Sequence, residues 1–407
     1  MENRYDKYKD SGIAWIGEIP EHWEVKKGKN LFKKEERPVR DNDEIVTCFR
    51  DGEVTLRSNR RIDGFTNAMK EVGYQGVRRG DLVIHNMDAF AGAIGVSDSD
   101  GKSTPVYSVC TPKNNVEANV YYYAYLLRSY ALGGVIQSLA KGIRERSTDF
   151  RYKEFGDLYY QQPPIEEQQS IASYLDQKCG EIDKLITLQE EMITKLQSYK
   201  QSVITEAVTK GLDKNVPLKD SGIEWIGEIP EHWSVVKIKY LAKIKSGDSI
   251  SSNEIMQEGI YEVYGGNGLM GFCNKKNVDG VNIIIGRVGA LCGNVRLISE
   301  SKFITDNALI LNCFDNALYS YMYIMLKAAN LNNLNTSNAQ PLITGSKVLN
   351  VSLPIPPLSE QQSIADYLDQ KCSEIDELIS IKQQKIEKLK DYKKSLIFEC
   401  VTGKRKV

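Results

Sequence analysis

The sequence predicts an α+β chain in which two mixed α/β domains alternate with two long helices, laid out as an internal repeat. Three observations carry this. KDSGIAWIGEIPEHWEV at 9–25 returns at 219–235 with 15 of 17 positions identical. PPIEEQQSIASYLDQKCGEIDKLI at 163–186 returns at 356–379 with 19 of 24 identical. After each copy of the second stretch, apolar residues continue at heptad-like spacing. Self-similarity on this scale sets the plan before any local reading: a short signature, a long variable region, a long helix, then the same again.

The 407 residues exceed one ordinary core. The division read from the repeat is 1–162, 163–210, 211–355 and 356–407. A content of 41% apolar and 26% charged residues is that of a soluble globular chain. No run approaches the roughly 18 apolar residues of a membrane span. The start MENRYDKYKD is charged, unlike a signal peptide. The eight cysteines are scattered without a CxxC pair. The expectation is a cytoplasmic protein with reduced thiols.

The net charge of −1 conceals a pattern. Residues 26–162 carry 22 Lys/Arg against 18 Asp/Glu, and 236–355 carry 11 against 8. The signatures lean the other way, 3 against 6 over 1–25 and 2 against 5 over 211–235. Positive charge gathers in the two variable regions, as expected for domains that meet a polyanion.

Taken in order, Trp15, Ile16, Ile19, Pro20 and Trp23 predict an apolar knot around Gly17 that packs alike in both copies. Internal packing is expected for Trp15, Trp23, Trp225 and Trp233. The first variable region offers short β-like runs, EIVTCF (44–49), GEVTLR (52–57), DLVIHNM (81–87) and VYSVCT (106–111), punctuated by Asp-Gly turns. A helix follows over 116–140, with Gly133-Gly134 placed to interrupt it. Tyr121, Tyr122 and Tyr123 read as core at helical spacing rather than as base-stacking rings. Pro163 and Pro164 stop the preceding strand, and a long helix starts near Glu166. Leu175, Ile182, Leu196 and Val203 mark one row, broken at Gln189. Leu185, Met192 and Tyr199 mark a second row, flanked by Ile186 and Ile193. The copy repeats the first row as Leu368, Ile375, Leu389 and Leu396, broken at Lys382, with Leu378 and Tyr392 in the second. Ser359 to Gln362 form a capping-box pattern. The second variable region has runs at 282–289, 294–299 and 308–314, a glycine cluster at Tyr264–Gly268, a helix over 317–329 and an Asn-rich loop at 330–341. Two rods of roughly 65 Å, each with an apolar stripe, find their simplest partner in one another, antiparallel, as a coiled coil.

Catalytic signatures are absent. Of three histidines, His22 and His232 are repeat equivalents and read as structural, and His85 stands alone. No cluster has metal-ligand spacing. Gly95 to Ser103 has five residues between its glycines where a phosphate loop needs four, and Asp98 and Asp100 would repel phosphate. The residues before the Pro-Pro pairs, Gln162 and Ile355, fail the Asn/Asp-Pro-Pro-aromatic pattern of an adenine methyltransferase.

A duplicated framework suits two copies of one partner, and diverged inserts suit two different ligands. On IGEIPEHWEV (16–25) and PPIEEQQSIASYLDQKCGEIDKLI (163–186), each with its copy, the chain resembles the DNA specificity subunit of type I restriction-modification systems over essentially its whole length. The resemblance implies that the variable regions are target recognition domains, each reading half of a bipartite target in double-stranded DNA. It implies that the helices set the unread gap and that the subunit joins two adenine methyltransferase subunits, with restriction subunits completing the nuclease in phage defence. S-adenosylmethionine, ATP and magnesium then belong to those partners, and the chain itself is not an enzyme. The competing reading is a coiled-coil scaffold that binds two protein partners through its variable domains.

Phosphate contacts require Lys or Arg, and base reading requires Arg, Asn, Gln or Lys on loops. The candidates are Arg57, Asn59, Arg60, Arg61, Lys141, Arg144, Arg146 and Arg151 in the first variable region. In the second they are Lys275, Lys276, Arg287, Asn333, Asn335, Ser337, Asn338 and Gln340. Partner contact is expected on the outer faces of the long helices and on the signatures.

Overall fold

The structure is a computed structural model, and it describes residues 4–60, 72–139, 150–289, 291–335 and 341–407. It divides into two compact units, Met1–Gln189 with Gln384–Val407, and Glu190–Gln383. The boundary therefore falls inside both long helices, Ile165–Lys210 and Leu358–Val401.

In the first unit the signature folds into a two-stranded ribbon, Tyr8–Asp10 against Glu18–Pro20. Its chain continues as Glu24–Lys27, paired antiparallel with Tyr159–Gln162 just before the long helix. The variable region is built on an antiparallel sheet in the order Phe32–Lys34, Tyr107–Pro112, Leu82–His85, Ile94–Val96. The helix Val120–Leu132 buries Tyr122, Tyr123, Leu126 and Leu127 against it. Gly134, at φ 82°, ends the turn after that helix, where a side chain would be strained.

The second unit repeats this order. Leu218–Asp220 pairs with Glu228–Pro230, and Ser234–Lys237 with Ser352–Ile355. Its sheet runs Ala242–Ser246, Ala308–Cys313, Asn282–Gly286, Val295–Ile298, all antiparallel. The helix Tyr319–Ala328 packs Tyr321, Met322, Met325 and Leu326 into its core. Two regions without evident sequence identity thus share one topology.

The framework motifs are explained by what they hold. Trp23 and Trp233 are fully buried, and each donates its indole N–H to a glutamate in the first turn of a long helix, Glu167 at 2.9 Å and Glu360 at 2.6 Å. The preceding histidines donate to the same carboxylates, His22 at 2.6 Å and His232 at 2.7 Å. The next residue, Gln168 or Gln361, is buried. Its carbonyl takes the N–H of Asn119 (2.8 Å) or Leu318 (2.9 Å), and its amide donates to Pro163 (2.8 Å) or Pro356 (3.0 Å). Pro-Pro-x-x-Glu-Gln thus ties the signature, the short helix and the start of the long helix together through fully paired buried polar groups. At the other helix ends, Gly211 and Gly403 adopt φ 73°; a side chain on Gly403 would lie 2.4 Å from Pro20 and 3.1 Å from Trp23.

Several expectations are corrected. Trp15 and Trp225 are 43% and 42% exposed, because the turn around Gly17 or Gly227 points inward with Ile16 and Ile19, or Ile226 and Ile229. Tyr121 is exposed, while Tyr122 and Tyr123 are core. The second heptad row lies outside: Leu185, Met192, Tyr199, Leu378 and Tyr392 are all exposed. The positions that accompany the Leu175–Ile182 row inward are Cys179, Ile186 and Ile193, four residues after a row member rather than three. Ser359 does not cap the second helix. That helix begins at Leu358, where the Pro357 carbonyl accepts the N–H groups of Glu360 (2.9 Å) and Gln361 (3.0 Å), since proline is already shaped for a helix start.

Candidate nucleic-acid interface

The two sheets end alike. In the first unit the strand Leu82–His85 runs into Asn86, whose N–H donates to Val106 (3.0 Å) and whose carbonyl takes the N–H of Phe150 (3.1 Å). In the second, Asn282–Gly286 runs into Arg287, whose N–H donates to Asn307 (3.0 Å) and whose carbonyl takes the N–H of Ile343 (2.9 Å). Phe150 and Ile343 are both buried, the first shortly after the candidates Lys141, Arg144 and Arg146 and the second shortly after the Asn-rich loop 330–341. The backbone therefore pins the exits of these diverged segments to equivalent strand ends of equivalent sheets. Loops carried by a rigid sheet end are where binding side chains gather.

The candidate residues distribute as follows. Arg57 and Asn59 occupy the turn Arg57–Asn59, beyond the hairpin Val46–Cys48/Val54–Leu56. Arg57 Nε reaches Thr47 Oγ1 at 3.4 Å, and Asn59 donates to Thr55 at 2.7 Å. Arg60 lies beside them over the Phe49 ring, with its guanidinium on Asp51 (2.7 Å) and Glu53 (2.8 Å). The hydrogen bond to Asp51 holds its pKa above the usual value. Arg151 opens the short helix Tyr152–Asp157, and its N–H is taken by Glu154 at 3.2 Å.

In the second unit Lys275 is held by Glu254 at 2.6 Å and Lys276 by Asp279 at 2.5 Å. The bond from Lys275, followed by those from Ser251, brings the Glu254 carboxyl down to about 2. Arg60, Lys275 and Lys276 thus already sit on local carboxylates, and a phosphate has to compete for them. Arg287 is different: among the described residues its Nη1 touches Ser246 Oγ (3.4 Å) and the Asp306 carbonyl (3.5 Å) and no carboxylate. Asn335 accepts the N–H of Leu342 at 3.2 Å, which joins it to Arg287 through Ile343. Asn333 is exposed on the neighbouring turn Leu331–Leu334. The structure therefore brings together Arg57, Asn59 and Arg60, and separately Arg287 and Asn335. Arg61, Lys141, Arg144, Arg146, Ser337, Asn338 and Gln340 lie outside the described residues.

Sequence reasoning passed over Lys243 and Lys245, which alternate on the exposed side of the edge strand Ala242–Ser246 with no ion pair to a described carboxylate. The signal was present: Ala242-Lys243-Ile244-Lys245 has period two. His85, which stands alone in the sequence, takes the N–H of Asp88 on its Nδ1 at 3.0 Å beside the Tyr107 ring. Burial lowers its pKa, which favours a neutral imidazole at the strand end. Among the described residues, no group of three His, Cys, Asp or Glu side chains is arranged to hold a metal ion.

Residues 230–391 match the family model described as the type I restriction modification DNA specificity domain. The chain is 27% identical to a putative type I restriction enzyme MjaX specificity subunit of Methanocaldococcus jannaschii, with 96% of each chain covered. It is 33% identical to the EcoprrI specificity subunit of Escherichia coli over 32% of this chain and 33% of that one. A solved chain from work on complex assembly and conformational transition of the type I R-M system superposes with a TM-score of 0.74 at 17% identity, covering 94% of this chain and 98% of that one. The HsdS subunit of Thermoanaerobacter tengcongensis gives 0.56 at 17% identity over 95% and 98%. These two likenesses establish the shared α+β fold, and the family match over 230–391 together with the MjaX relative makes the chain similar to the DNA specificity subunits of type I restriction-modification systems.

Proposed function

We propose that the chain selects the DNA target of a type I complex by reading an asymmetric, bipartite sequence, one half with each variable domain. The observation that carries this reading is the contrast between framework and inserts. The same Trp-His-Glu contacts recur at both helix starts, while the two strand ends at Asn86 and Arg287 carry different side chains and different polar segments. Equivalent scaffolds with unlike readers suit two unlike half-sites.

In this reading the long helices form an antiparallel coiled coil about a pseudo-two-fold axis, and their length sets the unread gap. Their exposed apolar residues recur at equivalent positions, Leu185 with Leu378, Leu188 with Ile381 and Tyr199 with Tyr392. Repeated, closely similar patches fit two copies of one partner, here two methyltransferase subunits. Restriction subunits complete the nuclease, S-adenosylmethionine, ATP and magnesium are carried by the partners, and the complex works in the cytoplasm.

The test is co-expression with the methyltransferase subunit and mapping of methyladenine across the host genome. A split, asymmetric motif with methylation in both halves is the expected result. Absence of any motif that depends on this chain, combined with DNA retention insensitive to salt, would leave the protein scaffold as the better account.

A further inference from the structure

We infer that the hairpin tip Gly265–Met270 of the second unit is a specificity element, in which the Asn267 carboxamide reads an adenine edge and Leu269 and Met270 meet the methyl of the paired thymine. The inference rests on the reading of the second unit as a DNA-binding domain and names one reader within it.

The strands Tyr261–Gly265 and Gly268–Cys273 pair around a two-residue turn, Gly266-Asn267. Three sets of contacts fix that turn. Val263 and Tyr264 pair in parallel with Phe303 and Ile304. Arg296 donates from Nη2 to the Asn267 carbonyl at 2.9 Å. Gly266 and Gly286 let the turn lie directly on the strand that leads to Arg287. A side chain on Gly266 would meet the Asn307 carbonyl at 2.7 Å, and one on Gly286 would meet the Gly266 carbonyl at 2.5 Å. The tip is therefore placed by backbone contacts at the sheet end of the second unit.

What the tip presents is unlike a solubilising surface. Gly265, Gly266 and Gly268 are buried, while Asn267, Leu269 and Met270 are exposed, the last two by 53% and 51%. Large apolar side chains held outward on a fixed tip mark a surface that a ligand covers. Nor does the turn call for asparagine at 267. Among the described residues other than glycine, Asn115 and Asn330 have the positive φ that favours asparagine in turns, and Asn267 does not. Its carboxamide makes no hydrogen bond to a described residue. Charge points to the ligand: Arg287 and Arg296 flank the tip, and neither touches a described carboxylate, which suits a polyanion. A carboxamide pairs with adenine through N6 and N7, and apolar side chains meet the thymine methyl. An amide beside two apolar side chains therefore fits an A·T pair better than a G·C pair. In the first unit the hairpin Val46–Cys48/Val54–Leu56 turns instead through Asp51 and Glu53, whose carboxylates hold Arg60. The reader therefore belongs to the second unit alone.

The experiment uses the full-length chain assembled with its methyltransferase subunits. Methyladenine is mapped for wild type and Asn267→Ala, and binding is measured across a KCl series to the mapped target and to a scrambled duplex of equal length. Asn267→Ala is expected to relax one A·T pair of one half-site, other than the methylated pair, and to leave the other half fixed. It should weaken the target duplex about tenfold and leave the scrambled duplex and the salt slope unchanged. Deoxyuridine in place of the thymine of that pair should weaken wild-type binding, and indifference to that methyl would remove Leu269 and Met270 from the site. Relaxation at a G·C pair, or in both halves, would overturn the adenine assignment. Equal weakening of both duplexes with a smaller salt slope would make Asn267 a backbone contact and overturn base reading. An unchanged motif and affinity in Asn267→Ala would remove the tip from the interface. A wild-type assembly whose methylation shows no split motif would instead sink the DNA-reading domain itself, a failure visible before any variant is made.

Discussion

Trp23 donates its indole N–H to Glu167 across 2.9 Å, and the same carboxylate also receives His22 at 2.6 Å and Tyr5 at 2.9 Å. Burial works to raise the pKa of Glu167, but the bonds from Trp23, His22 and Tyr5 outweigh it and hold the carboxyl below the usual range. Since the folded value is depressed, the stabilisation is full above the unfolded glutamate value of about 4.3 and is lost as pH falls through the folded one. Glu167→Gln should therefore cost about 1–3 kcal/mol near neutrality, with the gap to wild type closing below about pH 4. Hydrogen exchange of the Trp23 indole against pH reads this directly. A gap that stays constant down to acid pH would show that the carboxylate charge is not what holds the tryptophan.

A second relation lies on the long helices. Asp183 takes Lys393 at 2.7 Å in the first unit, and Asp376 takes Lys200 at 2.6 Å in the second. The two aspartates are repeat equivalents, and so are the two lysines. The aspartates are exposed and the lysines only partly so, and each pair still meets solvent, so each is expected to couple by about 1 kcal/mol or less. Double-mutant cycles on each pair should give equal couplings that vanish at high salt. Couplings that differ severalfold would mean that the two copies of the helix framework are not energetically equivalent.

The framework was legible because its residues do their work at fixed spacing within short motifs. Pro163, Glu167 and Gln168 lie within one turn of a helix start, and the duplicate repeats them, so a linear reading finds them. What was missed depended on the third dimension. Leu185 and Ile186 are neighbours in sequence, and only the helix rotation decides that the first is exposed and the second turned inward. Lys275 looked free in sequence, yet Glu254 from 21 positions earlier claims it, while the Asp279 that claims Lys276 lies only three positions on. Arg287 was picked for its type, while the Ser246 hydroxyl and the Asp306 carbonyl that it touches come from residues 41 positions earlier and 19 positions later, a separation no local pattern carries.

The exposed apolar residues of the helices lead to a third prediction. Leu188 and Ile381 are 48% and 52% exposed at equivalent positions. Replacing either with Glu removes no buried contact and should leave thermal stability within about 0.5 kcal/mol of wild type. If these residues seat the methyltransferase subunits, Leu188→Glu should reduce recovery from two copies to one, and the double variant should abolish it. Native mass spectrometry of the co-expressed complex counts the copies. Retention of both copies by the double variant would move the docking surface elsewhere, with exposed Trp15 and Trp225 next in line.

Exchange of residues 236–355 for the corresponding region of a type I specificity subunit tests whether the domains read independently. The exchange carries Ser352–Ile355 and half of its partner strand Ser234–Lys237, and the backbone ladder between them closes whatever side chains are brought in. Mapped methylation should change in one half of the target and stay fixed in the other. A change in both halves would mean that reading is shared between the domains.

The last prediction concerns the gap. Glu190 and Glu191 are exposed within the helix Ile165–Lys210, so an insertion between them disturbs no buried side chain at the point of entry. Four residues add about 6 Å and about 40° beyond a full turn, so the apolar row returns nearly to its own face. At roughly 3.4 Å per base pair, the unread gap should change by one or two base pairs while both half-sites stay as they are. In the proposed reading the half-sites stay because each is met by a variable domain whose sheet end, at Asn86 or at Arg287, the insertion does not touch. Methyladenine mapping of the insertion variant against wild type gives the answer in one experiment. An unchanged gap would show that the DNA, or the partner subunits, take up the added length, and that the helices are not the element that sets the spacing.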